Sequence, residues 1–162
     1  MARVDALEAD VLISVAAKLR TDLSLGVRQA FVVLDPRNPP QFPKGGNYFI
    51  TVAPGGGVFA EGDQVYPNVT EETEVLVTAY TRVLLDSTDH YDTLLTQATR
   101  GLLPIKRSIL KSLVGADLQI GGDSFTRDAV FAIRAERPDY DESKSIGWQT
   151  ITFGVNFDWD LS

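Results

Sequence analysis

Asp158 and Asp160 flank Trp159 in a C-terminal stretch whose polar and apolar residues alternate. On a strand, residues two apart share a face. Two carboxylates so placed can hold a metal ion or divide acid and base roles. The same spacing also describes the wet face of a terminal strand, where like charges discourage edge pairing. Asp139, Asp141 and Glu142 form a second acidic group, but they lack the glycine and the spacing of a calcium loop. His90 is the sole histidine, which excludes a multi-histidine metal site and leaves any catalytic triad dependent on one residue. No Gly-x-Ser-x-Gly elbow exists to supply its nucleophile. The chain has no cysteine, so disulfides, thiolate sites and thiol chemistry are excluded. Gly55-Gly56-Gly57 is not followed by the Gly-Lys-Ser/Thr of a phosphate loop. No catalytic signature results, and neither a cofactor nor a metal is expected.

The distribution of charge is more informative. Between Thr93 and Ala116 there is no acidic residue, whereas Arg100, Lys106, Arg107 and Lys111 are all basic. Acidic residues gather elsewhere, at Glu61, Asp63, Glu71, Glu72 and Glu74 and again at Asp139, Asp141 and Glu142. Such a pattern suits either a solvated helix face or complementarity between copies of the chain, basic helix against acidic loop. A head-to-tail contact of that kind closes into a ring when the rotation closes. The formal net charge of −7 opposes binding to polyanions and argues against sequence-reading contact with DNA, though not against DNA passing by.

These residues need elements to hold them. The segment Gly147 to Leu161 reads as a strand, with Ile151, Phe153, Val155, Phe157, Trp159 and Leu161 on a buried face. Thr150, Thr152, Gly154, Asn156, Asp158 and Asp160 make the other, wet face. Trp148 has the opposite parity to Trp159 and is a candidate interface aromatic. Asp5 to Asp22 has apolar residues at three- and four-residue spacing, the mark of an amphipathic helix, with Ile13 off the stripe. A short strand is expected within Val27 to Leu34. Asp35 to Asn47 holds four of the eight prolines and reads as a long irregular loop. Tyr48 to Ala53 alternates as a strand, and Pro54 to Gly57 reads as a turn into Val58 and Phe59.

Glu61 to Glu72 reads as a polar connection and Glu74 to Leu85 as a long strand. Ser87 to Asp89 offers helix caps before Tyr91, Leu94, Leu95, Ala98 and Leu102 at helical spacing. Gly101 and Pro104 must kink or split that helix, and Pro104 is suited to open a second piece over Ile105 to Val114. Beyond Gly121-Gly122, Ser124 to Glu136 alternates with Phe125, Ala129, Phe131, Ile133 and Ala135 inward. Arg137 to Ser145 is a polar loop that returns the chain as an antiparallel hairpin.

The expected fold class is α+β: a largely antiparallel sheet, with an N-terminal amphipathic helix and a central kinked or split helix packed on one face. The length of 162 residues and 44% hydrophobic content suit one domain, residues 1–162. No apolar run approaches the roughly 18 residues of a membrane span, and the N-terminal MARVDALEAD does not read as a signal peptide.

In the order of its parts the chain resembles the tail terminator (tail completion) proteins of long-tailed phages and prophages, with their minor tail and neck relatives. The parts are the helix Asp5–Asp22, the Pro/Gly-interrupted strands Tyr48–Phe59, the strand Glu74–Leu85, the helical segment Tyr91–Val114 and the hairpin Ser124–Leu161 ending in FGVNFDWDL. The likeness spans nearly the whole chain without an invariant motif. It implies a non-enzymatic ring, typically a hexamer, that caps the tail tube and joins it to the neck or head-completion protein. DNA would pass through its lumen without sequence-specific binding, and the protein would reside in the virion after assembly in the host cytoplasm. The loops Asp35–Asn47, with Arg37, Phe42 and Lys44, and Glu61–Glu72 would then meet tube or neck. A monomeric bacterial protein-binding module and a small hydrolase using Asp158, Asp160 or His90 are the alternatives.

Overall fold

The computed structural model describes residues 7–35, 47–61, 66–82, 91–120, 123–124 and 126–162. Arg37, Phe42, Lys44, Asp63, Ser87 to His90 and Phe125 therefore lie outside the described residues. The chain is α+β, as its periodicities require. Helix α1 (Leu7–Asp22) leads. Strands β1 (Ala30–Val32), β2 (Tyr48–Phe59) and β3 (Asn68–Arg82) follow. Helices α2 (Tyr91–Thr96) and α3 (Leu102–Leu113) come next. The two-residue strands β4 (Gln119–Ile120) and β5 (Asp123–Ser124) pair with each other. Strands β6 (Phe131–Ala135), β7 (Asp139–Asp141) and β8 (Ile146–Asp160) close the chain.

The main sheet has six strands in the order β1-β2-β3-β8-β6, with β7 also on β8. Only β1 runs parallel to its neighbour. The C-terminal strand organises it: β8 pairs with β3 from Asn68↔Asp160 to Arg82↔Ile146 without interruption. Its odd residues Ile151, Phe153, Val155 and Phe157 are fully buried, beside Val75, Val77, Ile50 and Val52. Onto that face α1 lays Val11, Leu12, Val15 and Leu19, and α3 lays Leu102, Ile105, Ile109 and Leu113. Burial of these side chains at ~1.5–3 kcal/mol each is the main driving force for the fold.

The helical region is split where Gly101 and Pro104 require. The Gly101 amide donates to the Gln97 carbonyl at 2.7 Å, and α3 starts at the next residue. Pro104 falls in the first turn of α3, where a missing N–H leaves no intrahelical bond unmade. Ser112 on α3 donates to Asp22 at the end of α1 at 2.7 Å, and Lys18 pairs with the same carboxylate at 3.0 Å. The Ser112 hydroxyl, and after it Lys18, holds the Asp22 carboxyl below its ordinary value of 3.8. Stability from this contact is complete above that ordinary value and is lost as the pH falls through the lowered folded one. Because Asp22 is partly exposed, Ser112→Ala is expected to cost only about 0.5–1 kcal/mol near neutrality. Urea melts of both proteins from pH 7 down through the acid range check this: the gap between them should narrow as the pH falls through the lowered folded value.

Several expectations are corrected. Pro54 to Gly57 is not a turn: β2 runs straight through it with a bulge between Pro54 and Gly56. Gly56 takes the bulge with φ of 91°, Gly55 lies against the Cβ and backbone of Glu74, where a side chain would crowd the neighbouring strand, and the Glu71 carboxylate lies over Gly57. Glu71 and Glu72 are not in a loop, because β3 begins at Asn68. The strand expected within Val27 to Leu34 shrinks to three residues, and the Arg137 to Ser145 loop contains β7. Thr150, Thr152 and Gly154 are buried rather than wet. The Thr78 and Thr150 hydroxyls bond each other at 2.8 Å across the strands, and the Phe131 ring sits against Gly154. Ala129, Ile133 and Ala135 are exposed instead of inward, since β6 is a bulged edge strand whose register breaks between Ala132 and Arg134. Leu161, expected on the core face, lies beyond the end of β8 and is exposed.

Candidate functional site

Among the described candidates, Asp158 and Asp141 are engaged in structural contacts. Asp158 accepts the Thr70 hydroxyl at 2.5 Å, and Arg127 reaches Thr70 at 3.0 Å and Asp158 at 4.0 Å. Together they fasten the chain before β6 to the β3–β8 pair. Asp160 lies at the end of β8, its side chain outside what is described. Asp141 accepts from the amide and hydroxyl of Ser143 at 2.9 and 2.7 Å and so caps the turn into β8. The Ser143 hydroxyl lowers the Asp141 carboxyl from its ordinary value.

A cleft of about 480 Å³ is lined by Asp22, Leu23, Tyr48, Ser108, Lys111 and Ser112. Burial pushes the Tyr48 phenol above its ordinary value. Ser108 donates to the Pro104 carbonyl and Ser112 to Asp22. A carboxylate held below its ordinary range is a weak base toward the Ser112 hydroxyl that it accepts. Among the described residues no group of three His, Asp or Glu side chains converges to hold a metal. No described helix is long and apolar enough to cross a membrane.

The charged residues are arranged as surfaces instead. On α3, Leu102, Ile105, Ile109 and Leu113 are buried; at 100° per residue Arg107 and Lys111 fall on the opposite, outer side, and Lys106 falls on the flank beside Leu113. None of these three cations makes an ion pair among the described residues. Arg100 stands apart, before the helix. Its guanidinium donates to Gln97 at 2.6 Å and its carbonyl accepts from Thr81 at 2.7 Å, so it serves the helix junction.

The acidic set divides between the two faces of β3. Glu72 and Glu74 share parity with Leu76, Thr78 and Tyr80, on the face away from the helices. Glu72 is exposed, while Glu74 meets Arg134 at 3.4 Å. Glu71 is on the helix side and accepts the Trp159 indole N–H at 2.6 Å. The structure thus sets Glu72 and Glu74 on the face of the sheet opposite the basic helix. Trp148 pairs in register with Tyr80 on that same far face and is half-buried. There Phe31, Phe49 and Tyr80 stack in a row, with ring centroids 5.8 and 4.7 Å apart. Burial raises the Tyr80 phenol.

Where β2, β3 and β8 end together, Phe59, Val69, Trp159 and Leu161 line an apolar groove of about 300 Å³. Phe59 and Leu161 are 53% and 52% exposed. Alternation placed Trp159 and Leu161 in the core; only the register shows that β8 reaches a stretch of sheet that Trp159 covers incompletely.

No family model matches the chain, and no curated protein matches it. Among solved structures, the chain is similar to one from the virion of a native gene transfer agent (GTA) particle. The two are 14% identical, the match covers 95% of this chain and 98% of that one, and the TM-score is 0.57. At that identity, what the two chains share is the fold, over nearly their whole lengths.

Proposed function

We propose that this chain is a structural, non-enzymatic component of a phage or phage-like virion. In finer detail it is a tail terminator or head–tail joining subunit whose copies form a ring, a hexamer, on the end of the tail tube. The fold shared end to end with a GTA virion chain is the observation that carries this reading. The order of elements points the same way, as does a set of acidic and serine residues committed to internal hydrogen bonds. The exposed Arg107 and Lys111 of α3 and the acidic residues of β3 lie on separate parts of the surface, which supports self-association. A subunit with opposite charges on separate patches is suited to head-to-tail contact. The tail tube protein on one side of the ring and a neck or head-completion protein on the other would be its further partners. DNA would thread the lumen, and the net charge of −7 suits passage without adhesion.

Light scattering across a wide concentration range, with negative-stain images of the same sample, is the direct test. A six-fold mass with annular particles is the expected result, alone or on added tail tubes. Deleting residues 37–44 is expected to abolish tube capping and leave the circular dichroism unchanged. A protein that stays monomeric and fails to bind tubes would return the chain to the class of monomeric binding modules.

A further inference from the structure

The outer side of α3 is not merely basic. At 100° per residue, Leu103 and Leu110 fall between Lys106 on one flank and Arg107 and Lys111 on the other, and Val114 continues the line just past the helix. Leu103 and Val114 are 44% and 51% exposed. Leu103 and Val114, bordered by the exposed Arg107 and Lys111, therefore form an apolar and basic stripe open to solvent, while Leu110 packs against the core and Lys106 lies beside Leu113. The groove at the far end of β3 and β8 has the inverse character. Phe59, Val69, Trp159 and Leu161 form its apolar floor and walls. The acidic residues there are Glu71, held at the Trp159 indole, and Glu61 just past β2, with Glu72 on the reverse of the same strand.

A subunit cannot satisfy its own groove with its own helix. The helix begins beside Thr81, where Arg100 accepts the threonine hydroxyl, and its end is tied to Val130, the residue before Phe131↔Gly154. Gly154 is level with Glu74, and the groove is level with Val69, five residues or about 17 Å further along the strand. Leu103, Arg107, Lys111 and Val114 are also exposed to solvent. Two complementary patches that differ in kind and stand apart on one body call for heterologous contact, each copy giving its helix to the next copy's groove.

We propose that the groove of Phe59, Val69, Trp159 and Leu161 is the docking site for the outer stripe of α3 from a second copy of this chain. Leu103 and Val114 lie on the apolar surface, and Arg107 and Lys111 meet the acidic residues around it. This inference rests on the ring reading and names the contact that builds the ring.

Two variants test it. Leu161→Asp combined with Phe59→Asp alters the groove at half-exposed positions, and Arg107→Glu combined with Lys111→Glu alters the helix at exposed ones. Sedimentation velocity of the full chain at low salt is the readout. The wild type is expected to assemble. Each variant alone is expected to sediment as a monomer, with apparent affinity weakened at least tenfold. An equimolar mixture is expected to stop at 1:1 dimers, because it retains one intact groove and one intact helix per pair. A mixture of monomers, variants that assemble like wild type, or a wild type monomeric at about 1 mM would each overturn the contact. Tube capping separates this failure from that of the broader reading. Capping by groove variants of unchanged mass leaves the ring standing on another interface. Loss of tube binding at unchanged mass assigns the groove to a different virion protein and also overturns the self-contact. A wild type that neither assembles nor caps removes both.

Discussion

Phe153→Ala is expected to destabilise the protein by about 3–5 kcal/mol, the range for truncating a fully buried phenylalanine. Phe153 is 1% exposed, sits opposite Val75 in the central strand pair and faces the layer formed by α1 and α3. On the β3 side the backbone cannot move in to fill the void, because β3 and β8 are locked by an unbroken ladder of fifteen residues on each strand. The loss is a large fraction of the roughly 5–15 kcal/mol that holds a typical domain together. Thermal denaturation should show a midpoint lower by roughly 6–20 °C. Ile133→Ala is the matched control. Periodicity places Ile133 inward just as it does Phe153, yet Ile133 is 38% exposed on the bulged edge strand. Its truncation should change stability by only about 0.5 kcal/mol. Equal losses at the two positions would contradict the register of β6.

The second large effect is expected from a substitution that looks harmless. Gly101 precedes α3, with φ of −68° and ψ of 147°, a conformation open to any residue. By backbone preference alone, Gly101→Ala should be neutral or mildly stabilising, because it restricts the unfolded chain. The surroundings reverse that sign. A Cβ at this position would lie 2.6 Å from both the amide nitrogen and the carbonyl oxygen of Gln97 and 2.8 Å from the Leu95 carbonyl oxygen. All three are backbone atoms of the turn from α2 into α3 and cannot rotate aside. Relief requires the two helices to separate, and with them the Arg100 carbonyl that accepts the Thr81 hydroxyl. The expected cost is about 1–3 kcal/mol, with larger substituents worse. Denaturant melts of Gly101→Ala check the size. Native-state hydrogen exchange checks the place, because protection should fall first at the Gly101 and Ile105 amides.

Much of the architecture was legible because one physical rule decided it locally. The run Ile151, Phe153, Val155 and Phe157 can bury a continuous face only as a strand, and the spacing of Val11, Val15 and Leu19 can do so only as a helix. Gly101 and Pro104 could not lie within one unbroken helix, and the split falls between them and α2. Glycine was the weaker guide elsewhere. Gly55 to Gly57 carries turn chemistry, but in β2 the same freedom serves a bulge and a close approach to Glu71 and Glu74. Local sequence does not distinguish these uses, because the difference lies in what the neighbouring strand presents.

The surfaces follow the same division. That α3 would carry an unbroken basic set was written in its composition, since no acidic residue falls between Thr93 and Ala116. Which of those cations face outward was decided by packing: Arg107 and Lys111 are exposed and make no ion pair among the described residues, Lys106 lies on the flank of the buried face, and Arg100 was drawn into the helix junction. The acidic residues were counted correctly from sequence but grouped wrongly. Glu71 and Glu72 are adjacent in the chain and on opposite faces of β3, because a strand turns successive side chains away from each other.

The α+β class, the strand and helix periods and the split before α3 follow from residues near one another in the chain. The burial of Thr150 and Thr152, the open edge at β6 and the meeting of Phe59, Val69, Trp159 and Leu161 follow from packing. Those outcomes depend on the register between strands up to some ninety residues apart. No local pattern encodes that register, because it is set by the packing of the whole sheet against its helices.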